Sequence, residues 1–412
     1  MDLEKAGLTL EDVDLGAGDA EADTRLADYF VKTPYVLTAL NFRRKLLLGR
    51  KGAGKSALFS QLPSLIKALP GAACTLVLKL TPDQYAWDAL KTYSETGLTA
   101  EQAHGNAWKF TIAIEVAAAF VADESATYQT EVAVKAHERL KNFLQQNYGA
   151  VPPTVLTTAK RLLGGVKSFN LTAFGFGTGI TMKDQEQPLT PSVIEALLTA
   201  IGEVTADRGV VVALDKLDDS WEGSDKSKQL MIGLLKAAKD INDRFSVGAP
   251  VKGLAVVVFL RVDIYEGLTF DDKDKHRATE HPLTWTPDLL KQMTQFRLPK
   301  DVTVDELFEP GDMRGSISPF NYIVKRTFLR PRESFNFSKS ACGARSPVTP
   351  GYRRIKSAKR KCVTALGNLK ISNRNTDASI RRSTRFWNPF DKGLTGMNPW
   401  KNWKSSSRAK VS

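Results

Sequence analysis

The chain has 412 residues, of which 42% are hydrophobic, with a formal net charge of +13 and three cysteines. This length predicts two or three domains with room for a large core. No apolar stretch reaches the roughly 18 residues needed to span a bilayer, and the acidic N-terminus lacks a secretory profile. The cysteines show neither metal-ligand spacing nor a disulfide framework. We therefore expect a cytoplasmic protein with no membrane partner.

The positive charge is concentrated near the C-terminus. Residues 334–412 carry 18 Lys and Arg against two Asp and no Glu, a local net charge of +16. Residues 1–333 carry a net charge of −3. The chain therefore divides into a near-neutral body and a basic tail of low predicted order.

In chain order, residues 1–40 predict an acidic lead-in followed by a helix with a break at Pro34. Beyond them, apolar strands alternate with helical segments. The strands are predicted over 45–49, 74–80, 210–214 and 254–260. This alternation indicates an α/β fold, with a doubly wound and mainly parallel sheet between flanking helices. We expect the domain to cover residues 41–300.

Two further regions complete the predicted organisation. Residues 83–190 are expected to form an insertion of helices followed by a glycine-containing hairpin over 169–182. Residues 301–333 are expected to begin a C-terminal helical domain that is incomplete in this chain.

The segment Gly49–Ser56 matches the phosphate-binding pattern G-x-x-x-x-G-K-S without a mismatch. It follows a strand and opens onto a helix, so we expect its backbone N–H groups and the helix dipole to bind the phosphates of a nucleotide. Lys55 is predicted to reach the β- and γ-phosphates, and Ser56 to hold Mg²⁺ through its hydroxyl. The residues expected to bind the nucleotide are Gly49, Arg50, Lys51, Gly52, Ala53, Gly54, Lys55, Ser56 and Ala57.

Three acidic residues follow the strand over 210–214. Asp215 lies where a Walker B carboxylate would hold the Mg²⁺ hydration shell opposite Ser56. Either Asp218 or Asp219 is a candidate to orient the attacking water. The alternative is that these two acids cap the helix that follows.

Arg261 and Asp263 stand at the end of the next buried strand. The carboxyl ends of parallel strands line the ligand crevice of such a sheet, so Arg261 is a candidate sensor of the γ-phosphate. The alternative is an arginine that simply pairs with Asp263. The charged segment 271–280 predicts a loop, and we expect no metal or catalytic role for His276 or His281.

Together these motifs resemble a bacterial P-loop ATPase family in the STAND and origin-recognition branch of the AAA+ superclass. The resemblance covers residues 15–333 and rests on Ala20–Asp23, Asp28–Val31, Gly49–Ala57, Leu214–Asp219, Phe259–Tyr265, Tyr322–Thr327 and Arg330–Arg332. It implies a regulatory ATPase that binds ATP and Mg²⁺ and acts as a nucleotide-driven switch. Two positions depart from the family pattern: Lys216 replaces a small residue and Asp219 replaces a glutamate. Both departures bear on hydrolysis more than on binding.

Other interpretations stay open. Host defence or mobile-element biology rests on the family analogy alone. A homo-oligomer and a DNA or protein effector are the candidate partners. Alternatives are a DNA-binding ATPase of replication or recombination, and a nucleotide-binding scaffold that hydrolyses poorly. The basic tail over 334–412 is a nucleic-acid-binding arm, a disordered extension, or the product of a shifted reading frame.

Overall fold

The computed structural model describes residues 15–82, 84–94, 97–124, 126–149, 191–219, 221–308 and 311–342. The strands are β1 (Leu46–Gly49), β2 (Leu76–Leu80), β3 (Val210–Leu214), β4 (Leu254–Arg261) and β5 (Glu280–Pro282). The α-helices are α1 (Pro34–Ala39), α2 (Lys55–Lys67), α3 (Gln84–Thr92), α4 (Ala100–Ala122), α5 (Glu131–Tyr148), α6 (Pro191–Thr205), α7 (Asp225–Phe245), α8 (Val262–Gly267), α9 (Lys273–His276), α10 (Pro287–Gln295), α11 (Pro319–Arg326) and α12 (Pro331–Cys342). The hairpin predicted over 169–182 lies outside the described residues.

The five strands form one sheet in the order β2–β3–β4–β1–β5, and each neighbouring pair is parallel. This arrangement confirms the predicted α/β class and parallel sheet. Strand β4 lies between β1 and β3, with Gly49 in register with Arg261. Because the strands are parallel, the ends of β1, β3 and β4 meet at one edge of the sheet.

Helices cover both faces of the sheet, which explains why the strands are apolar almost throughout. On β3, the alternate residues Val210, Val212 and Leu214 pack into a large core cluster with α3 to α7. The intervening residues Val211 and Ala213 pack with α1 and α2 on the opposite face. None of the described helices is long and apolar enough to cross a membrane.

A third core cluster brings together the first and last described parts of the chain. It joins Leu15 and Val31 to side chains of α10, α11 and α12. The predicted lead-in therefore packs against the C-terminal helical region. Helix α12 runs on to Cys342, past the expected start of the tail at residue 334. The remainder of the basic tail lies outside the described residues.

The prediction of a loop over 271–280 is wrong. This segment contains helix α9 and leads into β5, a short strand at the sheet edge paired with β1. The buried His281 belongs to this strand, and its Nε2 lies 2.8 Å from the carbonyl oxygen of Tyr35. The sequence of β5, Glu-His-Pro, has no β-branched residue and no alternation of apolar and polar residues. The strand is defined by its backbone pairing with β1, so its own residues did not indicate it.

Candidate functional site at the carboxyl edge of the sheet

The loop Gly49–Ser56 connects β1 to α2 and leaves the start of that helix uncapped. Gly52 and Gly54 have positive φ values of 80° and 90°, which glycine adopts at little cost. Helices α4, α5, α7 and α10 each begin after a Thr or Ser whose hydroxyl accepts a backbone N–H. Helix α2 follows Gly54 and has no side-chain cap. Its first amides are therefore oriented as in an anion-binding helix terminus.

Lys55, the first residue of α2, is a buried ammonium beside this terminus. The residue is 8% exposed, and Nζ donates to the carbonyl oxygens of Gly49 at 3.2 Å and Arg50 at 3.5 Å. Burial lowers the pKa of Lys55, while the carboxylates of Asp218 and Asp215 oppose that shift. An anion at the helix terminus would further favour the charged form of this lysine.

Asp215, directly after β3, is 2% exposed. Burial raises its pKa, against the lowering effect of hydrogen bonds from the Lys216 backbone and the Ser56 side chain. Among the described residues, Asp215 Oδ2 has no hydrogen-bond partner. A buried polar atom left in this state costs about 1–3 kcal/mol. Such an oxygen, next to a serine hydroxyl, fits a ligand of a hydrated cation.

Arg261 lies at the end of β4, between β1, which leads into the glycine loop, and β3, which precedes Asp215. It donates to Asp263 through Nε at 3.1 Å and through a terminal nitrogen at 2.5 Å, and its other terminal nitrogen is 3.6 Å from Asp218. Burial opposes ionisation of Asp263, but the hydrogen bonds from Arg261 hold its pKa below the usual value. Arg261 thus does pair with Asp263, as the alternative interpretation expected, and it also contacts Asp218.

Lys55, Ser56, Asp215 and Asp218 border a cavity of about 320 Å³. That volume lies within the range of small-molecule sites. Of the predicted site residues, its wall contains Lys51, Gly52, Gly54, Lys55, Ser56, Ala57, Asp215, Asp218 and Asp219. Gly49, Arg50, Ala53 and Arg261 are not part of that wall. The rest of the wall is largely apolar or aromatic and includes Tyr29, Phe30, Tyr35, Trp285 and Met293.

Several wall residues were not predicted as site residues. Lys216 has a φ of 60° and its Nζ contacts Glu21 at 2.8 Å. Arg332, at the start of α12, contacts Asp19 at 3.0 Å. Trp285 follows β5 and supports the glycine loop. Lys216 was visible in the sequence as a departure from the family pattern, whereas Trp285 gave no signal because only the fold brings it to the loop.

A buried ionic cluster fixes the N-terminal segment beside the cavity. Arg297 donates to Asp23 Oδ2 at 3.1 Å and to the carbonyl oxygen of Leu15 at 2.8 Å. Its guanidinium lies between the rings of Tyr29 and Phe335, at 4.0 and 4.4 Å from their centroids. Burial, together with a hydrogen bond to Asp23, raises the pKa of Tyr29. This cluster ties the lead-in to α12 and to the residues after α10.

Comparison with known proteins shows a distant similarity. The chain is 24% identical over 343 residues to the "Putative transposon gamma-delta 80.3 kDa protein" of Escherichia coli (strain K12). The match covers 79% of this chain and 46% of that protein, so the chain spans about half the length of the relative. No protein-family model matches the chain. No solved structure matches it either.

Proposed function

We propose that the protein binds Mg²⁺-ATP in this cavity and hydrolyses it as a regulatory ATPase of the STAND and AAA+ type. The observation that carries the proposal is the partnerless Asp215 Oδ2. It lies beside Ser56, at the start of an uncapped helix that also carries a buried lysine. A nucleoside triphosphate with its metal ion would supply binding partners for the aspartate oxygen, the helix amides and the lysine together.

In this proposal the phosphates lie against the glycine loop. The first amides of α2 donate to their oxygens, and the helix dipole adds a favourable potential. Lys55 exchanges its contacts with loop carbonyls for contacts with the β- and γ-phosphates. Because Lys55 is buried, its charge interacts with the phosphates in a medium that screens little.

Ser56 and Asp215 are the residues that would hold Mg²⁺. In nucleotide sites this ion commonly takes one or two protein ligands and completes its octahedron with phosphate oxygens and waters. A hydroxyl and a single carboxylate match that requirement. Bound Mg²⁺ would neutralise charge that develops on the phosphate oxygens during hydrolysis.

Asp218 and Asp219 are the alternative candidates to orient the attacking water in this proposal. Asp218 is half-buried and contacts Arg261, so it is held in place, whereas Asp219 is exposed at the cavity wall. Either carboxylate could accept a proton from a water that attacks the γ-phosphate. Arg261 would sense the loss of that phosphate through Asp218. The apolar wall with Tyr29 and Tyr35 suits a purine ring.

The relative's name mentions a transposon, which favours mobile-element biology over host defence for this chain. A homo-oligomer, DNA and a protein effector remain the proposed classes of partner. A DNA-stimulated ATPase would bind DNA with an affinity that falls steeply as the salt concentration rises.

The test is Mg²⁺-ATP binding and turnover by the purified full chain. Lys55→Ala should abolish both, because it removes the cation that meets the phosphates. Lys67→Ala, at the exposed end of the same helix, is the matched control and should match the wild type. Equal binding by the wild type and Lys55→Ala would refute nucleotide binding at this loop. Binding without turnover would instead support the scaffold alternative.

A further inference from the structure

The segment of residues 19–23, here named the acidic segment, places three carboxylates on three cations beside the cavity. Asp19 contacts Arg332 at 3.0 Å, Glu21 contacts Lys216 at 2.8 Å, and Asp23 contacts Arg297 at 3.1 Å. The three cations come from separate parts of the fold and all line the cavity. The acidic segment therefore neutralises positive charge that faces the proposed phosphate site.

The three pairs differ in how firmly they are held. The side chains of Asp23 and Arg297 are 1% and 9% exposed, and the pair is enclosed by aromatic rings. A buried pair of this kind is costly to separate, because either charge alone would be left without water. The pairs of Glu21 with Lys216 and Asp19 with Arg332 are between 38% and 60% exposed. Exposed pairs contribute little and exchange readily.

We propose that Asp19 and Glu21 act as built-in competitors for the anionic end of the nucleotide. Before nucleotide binds, their carboxylates occupy Arg332 and Lys216. A triphosphate takes over one or both cations and releases the outer part of the acidic segment. Asp23 stays on Arg297 and keeps the segment attached at its inner end. The inference rests on the proposed function and adds the regulation of that site.

The backbone at Lys216 supports this assignment. Lys216 is not a glycine, yet it has a left-handed φ of 60° directly after Asp215. This uncommon conformation accompanies a side chain that lines the same cavity wall as Ser56 and Asp215. The cation bound by Glu21 is therefore close to the site proposed for Mg²⁺ and the phosphates.

The experiment is calorimetric titration of the full chain with Mg²⁺-ATP. The double variant Asp19→Asn/Glu21→Gln should bind about 3- to 10-fold more tightly than the wild type, as expected for loss of two exposed competing pairs. Affinity for adenosine, which has no phosphates, should not change. Asp28→Asn removes a carboxylate that pairs with Arg25 outside the cavity wall, and it should match the wild type.

A double-mutant cycle separates competition from general repulsion between negative charges. In a Lys216→Met background, Glu21→Gln should change Mg²⁺-ATP affinity by less than about twofold, because the shared cation is gone. An equal gain in both backgrounds, or an equal gain from Asp28→Asn, would overturn the proposal.

The outcomes also separate this inference from the proposed function. Suppose that the wild type binds Mg²⁺-ATP, Lys55→Ala does not, and the double variant binds like the wild type. Competition would then be wrong while nucleotide binding stands. If neither the wild type nor the double variant binds Mg²⁺-ATP, both the proposed function and the competition are refuted. Binding by the double variant alone would support both.

Discussion

The indole Nε1 of Trp285 donates a hydrogen bond of 2.9 Å to the backbone carbonyl of Ala53. The tryptophan that follows the edge strand β5 therefore holds the centre of the glycine loop. Its ring also meets the ring of Tyr35 edge-on, with 5.7 Å between centroids. The loop is thus supported from outside by a residue more than two hundred positions away in sequence.

This contact predicts that Trp285→Phe weakens Mg²⁺-ATP binding. The variant keeps an aromatic ring but loses the hydrogen bond, worth about 1 kcal/mol or roughly a fivefold change in affinity. Calorimetry on the wild type and the variant measures the change. Trp221→Phe, which alters a tryptophan outside the cavity wall, is the control. Unchanged affinity in Trp285→Phe would contradict a supporting role.

Asp215→Asn should remove the dependence of nucleotide binding on Mg²⁺. The amide keeps the shape of the side chain but lacks the negative charge that the ion requires. ATP affinity measured with Mg²⁺ and with a chelator should therefore converge in this variant. Asp225→Asn, on an exposed helix start, should retain the full difference. A persistent Mg²⁺ effect in Asp215→Asn would show that the metal ion binds elsewhere.

Under the proposed function, Asp215 also predicts that Mg²⁺-dependent binding of ATP varies with pH. Burial raises the pKa of Asp215, so protonation begins at a higher pH than for an ordinary aspartate. Because the protonated form cannot bind the ion, the Mg²⁺-dependent part of the affinity should fall as the pH is lowered. The fall should start above the range in which exposed aspartates titrate. The same titrations on Asp215→Asn, with and without Mg²⁺ at each pH, separate this part from the titration of ATP itself.

Glu115 on α4 predicts a pH-dependent stability that is independent of any ligand. Burial raises its pKa to about 7, and its Oε1 has no hydrogen-bond partner among the described residues. Because the folded-state pKa is the higher one, the stability present in acid is lost as the pH rises through about 7. Glu115→Gln should therefore raise the free energy of unfolding at pH 8 by about 1–3 kcal/mol. At pH 5 the two proteins should differ little. Denaturant unfolding at both pH values measures the difference, and an equal gain at each would contradict it.

Helices α4 and α7 pack closely at two glycines, which gives a matched pair of variants. A Cβ at Gly233 would lie 2.8 Å from His104 Cβ and 2.9 Å from the backbone nitrogen of Gly105. Gly233→Ala should therefore destabilise the fold by about 1–3 kcal/mol through overpacking. A Cβ at Gly105 would meet only the carbonyl oxygen of Gly233, at 3.8 Å. Gly105→Ala should be neutral or slightly stabilising, because alanine favours the helix. Equal melting temperatures for the two variants would contradict this packing.

Much of the sheet could be predicted from local sequence. Strands β3 and β4 are buried on both faces, so nearly all of their residues are apolar and the run itself indicates a strand. Strand β5 was missed because its position depends on pairing with β1 rather than on its own residues. The strand order was not predicted either, because it is a tertiary relationship between strands that the residues of no single strand specify.

The sequence by itself determined the glycine loop, the lysine and serine that end it, and the aspartate after β3. These features are local, since they depend on residue type and spacing within one strand and its next turn. Only the tertiary structure decided which distant groups surround them. Glu21, Trp285, Arg297 and Arg332 reach the cavity because parallel strands end at one edge and the N-terminal segment packs on α12. Contacts of this kind leave no periodic or spaced pattern in a single sequence.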